Sequence, residues 1–401
     1  MAQRILITGI PSQHIRLIQR AHGSQVVYTE AQPQPRSSEA FLKEMRDISN
    51  TGNYLIGEGA LQALAPNATH IPFWHLYNCC QNGTGLQEIA KDFDICVFTC
   101  ANLLRAGLSA DAEAQVLSNL DLPVVMLGIG IQSNANLKKS LPAGTLELLR
   151  VLKNKEHHFL TRGRETALFL KEEGFSNVQP IGCPSTYFNS DNFRLALSRL
   201  KSVDVGSAKT VFSGYLGSDR GSIDDMNALT RPDSTAVYVI QDEHLHFDMK
   251  TEPDARGHVY DPASGRIIGE SRFKDEDILQ RDVALHAYFD PVQWRAWTSQ
   301  MEFSFGRRFH GNIIALQAGV PGLMVAVDDR MREMLDFVGL PYIEAEKLAA
   351  ASDRVACVAE HIAGLNSDEI IARYNERERG FRLALSDIGL IPAQGSTDKA
   401  A

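Results

Sequence analysis

The sequence predicts an α/β protein of two domains, each built on a parallel sheet covered by helices. Three observations predict it. The chain has 401 residues, which fits two domains at roughly 100–200 residues each. Short β-type runs alternate with longer stretches of helical period, the pattern of βα units. That alternation lapses near residues 190–208 and then begins again. The expected division is residues 1–200, residues 207–366, and a terminal helix with a frayed tail over residues 367–401.

In the first series, Arg4–Ile7 (RILI), Ile95–Thr99 (ICVFT), Val124–Ile129 (VVMLGI) and His158–Thr161 (HFLT) read as strands. Glu165–Glu173 reads as a helix. In the second series, Val211–Tyr215 and Ala236–Gln241 read as strands. Arg220–Arg231 and Pro253–Gly269 look like loops, rich in Gly, Asp, Pro and Ser, and YDPASGRII (Tyr260–Ile268) looks like a hairpin turn at a domain edge. Strand Glu302–Phe305, a helix from Asn312, strand Leu323–Val327 and helix Asp329–Val338 follow. The last helix, Ser367–Ser386, opens on a Ser-Asp-Glu cap signal.

Composition excludes several roles. A net charge of −9 argues against a nucleic-acid coat, which needs a basic face to neutralise phosphates. The six cysteines form no CxxC pair; reduced buried thiols and a cytoplasmic setting are the better reading. The apolar run in Met1–Ile10 is too short for a signal peptide. Pro123–Ile131, among the longest apolar stretches, falls far below the ~20 residues of a membrane span. A membrane-bound substrate, met at the inner face, stays open.

Three stretches carry chemistry. FGRRFHGN (Phe305–Asn312) sets two arginines and a histidine between Gly306 and Gly311, at a strand-to-helix turn. Glycines admit a sharp turn and close approach of a ligand, and a helix starting near Asn312 points free N–H groups at the turn. If the segment is extended, Arg308 and His310 project the same way. A guanidinium grips carboxylate or phosphate at about 1.5–3 kcal/mol per charged hydrogen bond, and a histidine can donate a proton near neutral pH. The plainer account makes Arg307 and Arg308 surface cations and His310 a cap. NTGNYLIGEGAL (Asn50–Leu61) reads as a capped helix whose Gly52 admits a ligand to the N–H groups; a well-capped helix alone would look the same. FLTRGRETALFLKEEG (Phe159–Gly174) places Arg162 at a strand's carboxyl end, where open α/β sheets bind ligands; the alternative is that Arg162 and Arg164 decorate a surface turn.

Other signals are weaker. LITGIPSQHI (Leu6–Ile15) lacks the GxGxxG glycines of a dinucleotide turn. HLHFD puts His244, His246 and Asp248 on one strand face, a thin metal signal with no further ligand cluster, so no metal is expected. GIGIQ ends a strand at Gln132, a residue that can touch a ligand.

With these stretches together, the sequence resembles the polysaccharide pyruvyl transferase family. The resemblance rests on NTGN, the strand leading into GIGIQ, TRGRET followed by EEGFSNVQPIGCPS, and FGRRFHGNIIALQAGVP. The last matches a G-x-R-x-H-G pattern followed by a helix and a Gly-x-Pro turn. Asn53 and Cys183 stand where the family often has Asp.

The resemblance implies two Rossmann-like domains in a GT-B-like arrangement with the active site in a central cleft. It implies phosphoenolpyruvate as donor substrate, with no cofactor, and a sugar of a polysaccharide or its precursor as acceptor, whether or not lipid-linked. The product would be a pyruvate ketal bridging two hydroxyls. On this reading Arg308 and Arg162 clamp the donor and His310 protonates its methylene carbon. Asn50, Gly52, Asn53, Gln132, Arg307, Gly311 and Asn312 line the substrate. In an empty pocket the arginines should depress the pKa of His310, and a bound trianion should raise it. A glycosyltransferase using a nucleotide sugar, and a non-catalytic binder of phosphorylated sugars, are the competing readings. Oligomeric state is not legible.

Overall fold

The strands that read as unbroken apolar runs are covered on both faces, as parallel strands between helices must be. The computed structural model describes residues 3–9, 20–22, 25–27, 35–47, 50–64, 67–83, 85–132, 137–153, 157–217, 219–243, 250–256, 258–272 and 282–392. The first sheet has six strands in the order Ala68–His70, Ile5–Gly9, Ile95–Thr99, Val124–Ile129, His158–Thr161, Val178–Pro180. Every neighbouring pair is parallel. Alternate side chains enter different cores: Leu6, Cys96, Phe98 and Met126 pack outward, while Ile5, Ile7, Val97 and Leu127 pack toward the second half of the molecule, the two-residue period of a pleated strand.

The second sheet has eight strands in the order Tyr260–Asp261, Arg266–Ile267, Val283–Ala287, Ala236–Ile240, Thr210–Ser213, Phe303–Gly306, Gly322–Ala326, Tyr342–Glu344. Its last six are parallel. The expected hairpin supplies the first two, antiparallel at the edge. A shared core joins the halves: Leu55, Val97 and Leu127 of the first belong to one cluster with Val239, Ile313 and Met324 of the second. The terminal helix Ser367–Asp387 packs on the helix Ser190–Arg199, with Tyr374 stacked on Phe193 at 4.8 Å. This is the GT-B-like arrangement, two α/β layers meeting at the carboxyl ends of their strands. No helix among the described residues is long and apolar enough to cross a membrane.

Two expectations need correction. Arg220–Arg231 is no loop: Arg220–Leu229 is an α-helix, capped by Asp219, whose side chain accepts from Gly221 N at 3.0 Å, with Ile223, Met226 and Leu229 buried along one face. The helix expected from Asn312 begins at Phe309, with Arg308 as its N-cap, so His310 lies in its first turn and not on extended backbone. The His244–Asp248 stretch, most of the Leu6–Ile15 turn and the tail beyond Pro392 lie outside the described residues.

Candidate active site

Gly306 ends its strand at φ +151, and a Cβ there would collide with the carbonyl of Ser213. The chain therefore turns tightly against the neighbouring strand end, where Ser213 O accepts from Arg307 N (2.8 Å) and Arg308 N (3.2 Å). Asn312 is fully buried and staples the same turn. Its amide donates to Gly306 O (3.1 Å) and Arg308 O (2.9 Å) and accepts from Ser304 Oγ (3.0 Å). Gly311 fits under Ser213, whose side chain a Cβ would strike.

The two arginines diverge. Arg307 lies under the helix Arg220–Leu229, paired with Asp225 (2.9 Å) and Asp219 (3.1 Å). Arg308 donates to Gly214 O, pairs with Asp242 and stacks on Tyr215 at 4.3 Å, with Glu243 at 3.5 Å. Burial opposes its charge, but Glu243 and Asp242 outweigh that and hold its pKa above the ordinary value. Burial likewise pushes the Glu243 carboxyl up, against the pull of Arg308.

His310 faces the other half of the molecule. Its Nε2 lies 3.6 Å from the Cys183 thiol, which is 3.1 Å from Ser185 Oγ. Burial, then Arg162 and Arg330, push the imidazole pKa well below its usual value, which favours the neutral ring. Arg162, at the carboxyl end of strand His158–Thr161, is 3% exposed. It donates to Gly128 O (2.8 Å), Cys100 O (3.3 Å) and Asn102 Oδ1 (3.3 Å). These acceptors are neutral. Among the described residues no carboxylate stands within ion-pair distance of Arg162, and burial, with Arg330 nearby, depresses its pKa.

The Asn50–Asn53 turn closes the site. Asn50 accepts from Gly52 N (2.9 Å) and donates to Asp242 Oδ2 (3.0 Å), and Thr51 N donates to Gln241 O (3.3 Å). A Cβ on Gly52 would strike Gln241 Oε1 and stand 2.8 Å from His310 Cβ. Asn53 is half-buried in the same turn, its N–H on Asn50 O at 3.0 Å.

Thus Arg162, His310, Gly52 and Asn50 from distant sequence meet where strands of both sheets end. Arg308 joins them through Asp242. Arg307 and Asn312 serve the turn itself, and Gln132 is exposed, with its backbone N–H on Leu104 O at 2.9 Å. Three participants went unread in the sequence: Asp242, the Cys183 thiol as partner of His310, and Arg330. Arg330 lies in the first turn of the helix Asp329–Val338 and reaches Asp328 at 3.3 Å, while its Nε is buried without a partner among the described residues. Its place just beyond a parallel strand's carboxyl end was the available signal.

The family model described as polysaccharide pyruvyl transferase matches residues 50–329. No curated protein matches the chain. Similar solved structures include HepE of Anabaena, in complex with UDP and glucose, at 10% identity over 94% of this chain and 99% of that one, TM-score 0.43. The Neisseria meningitidis UDP-GlcNAc 2-epimerase bound to UDP-GlcNAc is similar at 12% identity over 82% and 90%, TM-score 0.39. The Methanocaldococcus jannaschii UDP-GlcNAc 2-epimerase is similar at 9% identity over 84% and 97%, TM-score 0.43.

Proposed function

The chain belongs to the polysaccharide pyruvyl transferase family, and from that premise we propose that it moves the three-carbon unit of phosphoenolpyruvate onto a sugar, forming a pyruvate ketal and releasing phosphate. The observation that carries this reading is Arg162. A buried guanidinium whose hydrogen bonds, among the described residues, go to neutral acceptors is costly unless an anion completes it. Here Arg330 adds a second cation, and a neutral imidazole stands beside both. A small ester with a phosphate and a carboxylate would satisfy such a cluster of cations. Its negative charge also raises the pKa of His310, so the donor prepares its own acid. His310 then protonates the methylene carbon. Positive charge develops on the enol carbon, a sugar hydroxyl attacks it, phosphate departs, and a second hydroxyl closes the ketal. Arg308 reaches the donor carboxylate by exchanging it for Asp242.

The test is incubation with phosphoenolpyruvate and a panel of p-nitrophenyl hexopyranosides, and separately with nucleotide sugars, following phosphate release and glycoside mass. Phosphate release with a glycoside gaining a pyruvate ketal is expected. His310→Gln should bind donor yet turn over about 10²–10⁴-fold more slowly. Arg162→Lys should weaken donor binding, since a point charge cannot keep the guanidinium's three bonds and still meet an anion. Consumption of a nucleotide sugar without phosphate from phosphoenolpyruvate would replace this reading with glycosyl transfer. Binding without consumption of either would leave an anion-binding module.

A further inference from the structure

We propose that Asp242 is the base that takes the proton of the attacking sugar hydroxyl, released for that work when the donor carboxylate replaces it on Arg308. This rests on the reading of the preceding subsection. The reaction needs such a group, because forming the O–C bond at the enol carbon breaks the sugar O–H bond. Around the site, His310 holds the acid role, and Cys183 is fully buried against it. Glu243 is fully buried too, and accepts from the Tyr238 hydroxyl (2.6 Å) and the Gln241 N–H (2.6 Å).

Asp242 differs from these. It stands just past the carboxyl end of strand Ala236–Ile240, at 6% exposure. One carboxylate oxygen pairs with Arg308, and the other accepts from Asn50 Nδ2 at 3.0 Å. Asn50 belongs to the turn whose Gly52 abuts His310. One short turn thus connects the carboxylate and the imidazole, the acid and base that must act on successive atoms. While Arg308 holds one oxygen of Asp242, that oxygen cannot face a sugar hydroxyl; a donor carboxylate that takes over the guanidinium turns it toward the acceptor. Donor binding therefore precedes acceptor activation.

The protons balance. His310 gives one to the methylene carbon. Asp242 takes one as the first hydroxyl bonds to the enol carbon. The carbon–oxygen bond to phosphate breaks with its electron pair on phosphate, which accepts the proton from Asp242. The second hydroxyl returns a proton to His310.

The experiment compares wild type, Asp242→Asn and Asp242→Glu in three assays: calorimetric binding of phosphoenolpyruvate, deuterium incorporation at its methylene carbon in D₂O, and phosphate release with the p-nitrophenyl hexopyranoside panel. Asparagine keeps one acceptor oxygen at this position and removes the charge that competes for Arg308, so Asp242→Asn is expected to bind donor at least as tightly and to exchange deuterium. Its phosphate release should fall about 10²–10⁴-fold, and Asp242→Glu should recover part of it. Wild-type phosphate release by Asp242→Asn overturns the assignment and leaves the donor chemistry standing. Lost donor binding in Asp242→Asn also overturns it, making the residue a support for Arg308. A wild type that neither binds nor consumes phosphoenolpyruvate fells the functional reading itself, and this inference with it.

Discussion

At the scale of single residues, His310 is the group whose charge the site sets. Burial and the guanidinium groups of Arg162 and Arg330 keep its pKa well below the usual histidine value, and a trianionic donor acts in the opposite sense. Between the depressed and restored values, binding must therefore draw a proton from solvent. Titrating phosphoenolpyruvate into the protein at pH 7 in buffers of different ionisation enthalpy should show net proton uptake, absent in His310→Gln. Cys183 sharpens the test. Its thiol is 3.6 Å from Nε2. Cys183→Asp would place a carboxylate there, charge the imidazole before the donor arrives, and reduce the uptake. Unchanged uptake in both variants would mean that another group titrates. The sequence named Arg162, Arg308 and His310 because each sits at a strand end or a glycine-flanked turn. It could not show that Arg308 carries its own carboxylate while Arg162 has none within ion-pair distance among the described residues, since Asp242 lies 66 residues from Arg308.

At the scale of elements, the strands were legible and the helices of the site only partly so. Ile95–Thr99 and Val124–Ile129 are buried throughout and nearly all apolar because both faces are covered, and that pattern survives without tertiary information. The helix Arg220–Leu229 was hidden because Gly221, Ser222, Asp224 and Asp225 imitate loop composition. Their presence has a tertiary cause: Asp225 meets Arg307, and the Arg307 guanidinium lies where a Cβ on Gly221 would be. The helix start at Phe309 was misplaced because Asn312 resembles a cap, yet its amide holds the turn from inside. The Asn50–Asn53 turn was read as a cap, correctly for Asn50, but its contact with His310 depends on the second sheet. Gly52→Ala tests that contact. The added methyl would meet Gln241 Oε1 and His310 Cβ, and both lie in the site while the turn itself has ordinary backbone. Donor turnover should drop by 10-fold or more, on the order expected when a catalytic group is displaced by about an ångström. The melting temperature should move by only a few degrees, the effect of about 1 kcal/mol. Full activity in Gly52→Ala would show that the turn does not set the imidazole.

At the scale of the whole molecule, the two sheets must keep one relative position for this chemistry, because Arg162 comes from the first and His310 from the second. Hydrophobic packing joins them, but a shared apolar core is non-directional and admits small slides. A polar connection behind the site fixes the register. Arg295, on the helix Pro291–Thr298, forms a two-pronged pair with Glu58 of the helix Tyr54–Leu64, donates to Gln317 Oε1 at 3.1 Å, and lies over the Phe188 ring at 4.4 Å. Gln317 ends the helix whose first turn holds His310, and its amide donates to Ser185 O at 2.7 Å. Glu58 lies on the helix that the Asn50–Asn53 turn opens into. The two helices that present the site are therefore tied further along their length by one guanidinium. Removing either partner strands the other charge in a mostly buried place. Glu58→Gln and Arg295→Gln should each lose about 1–3 kcal/mol, discounted from the cost of a fully buried pair because Glu58 is partly wetted. The double variant should lose less than the sum, as urea denaturation would show. A mere stability element would leave donor handling alone in the surviving folded protein. A register device predicts weaker phosphoenolpyruvate binding in both single variants at temperatures where they are fully folded, with Arg162 and His310 untouched. Wild-type donor affinity in both would assign the pair to stability alone and leave the register of the sheets to the shared apolar core.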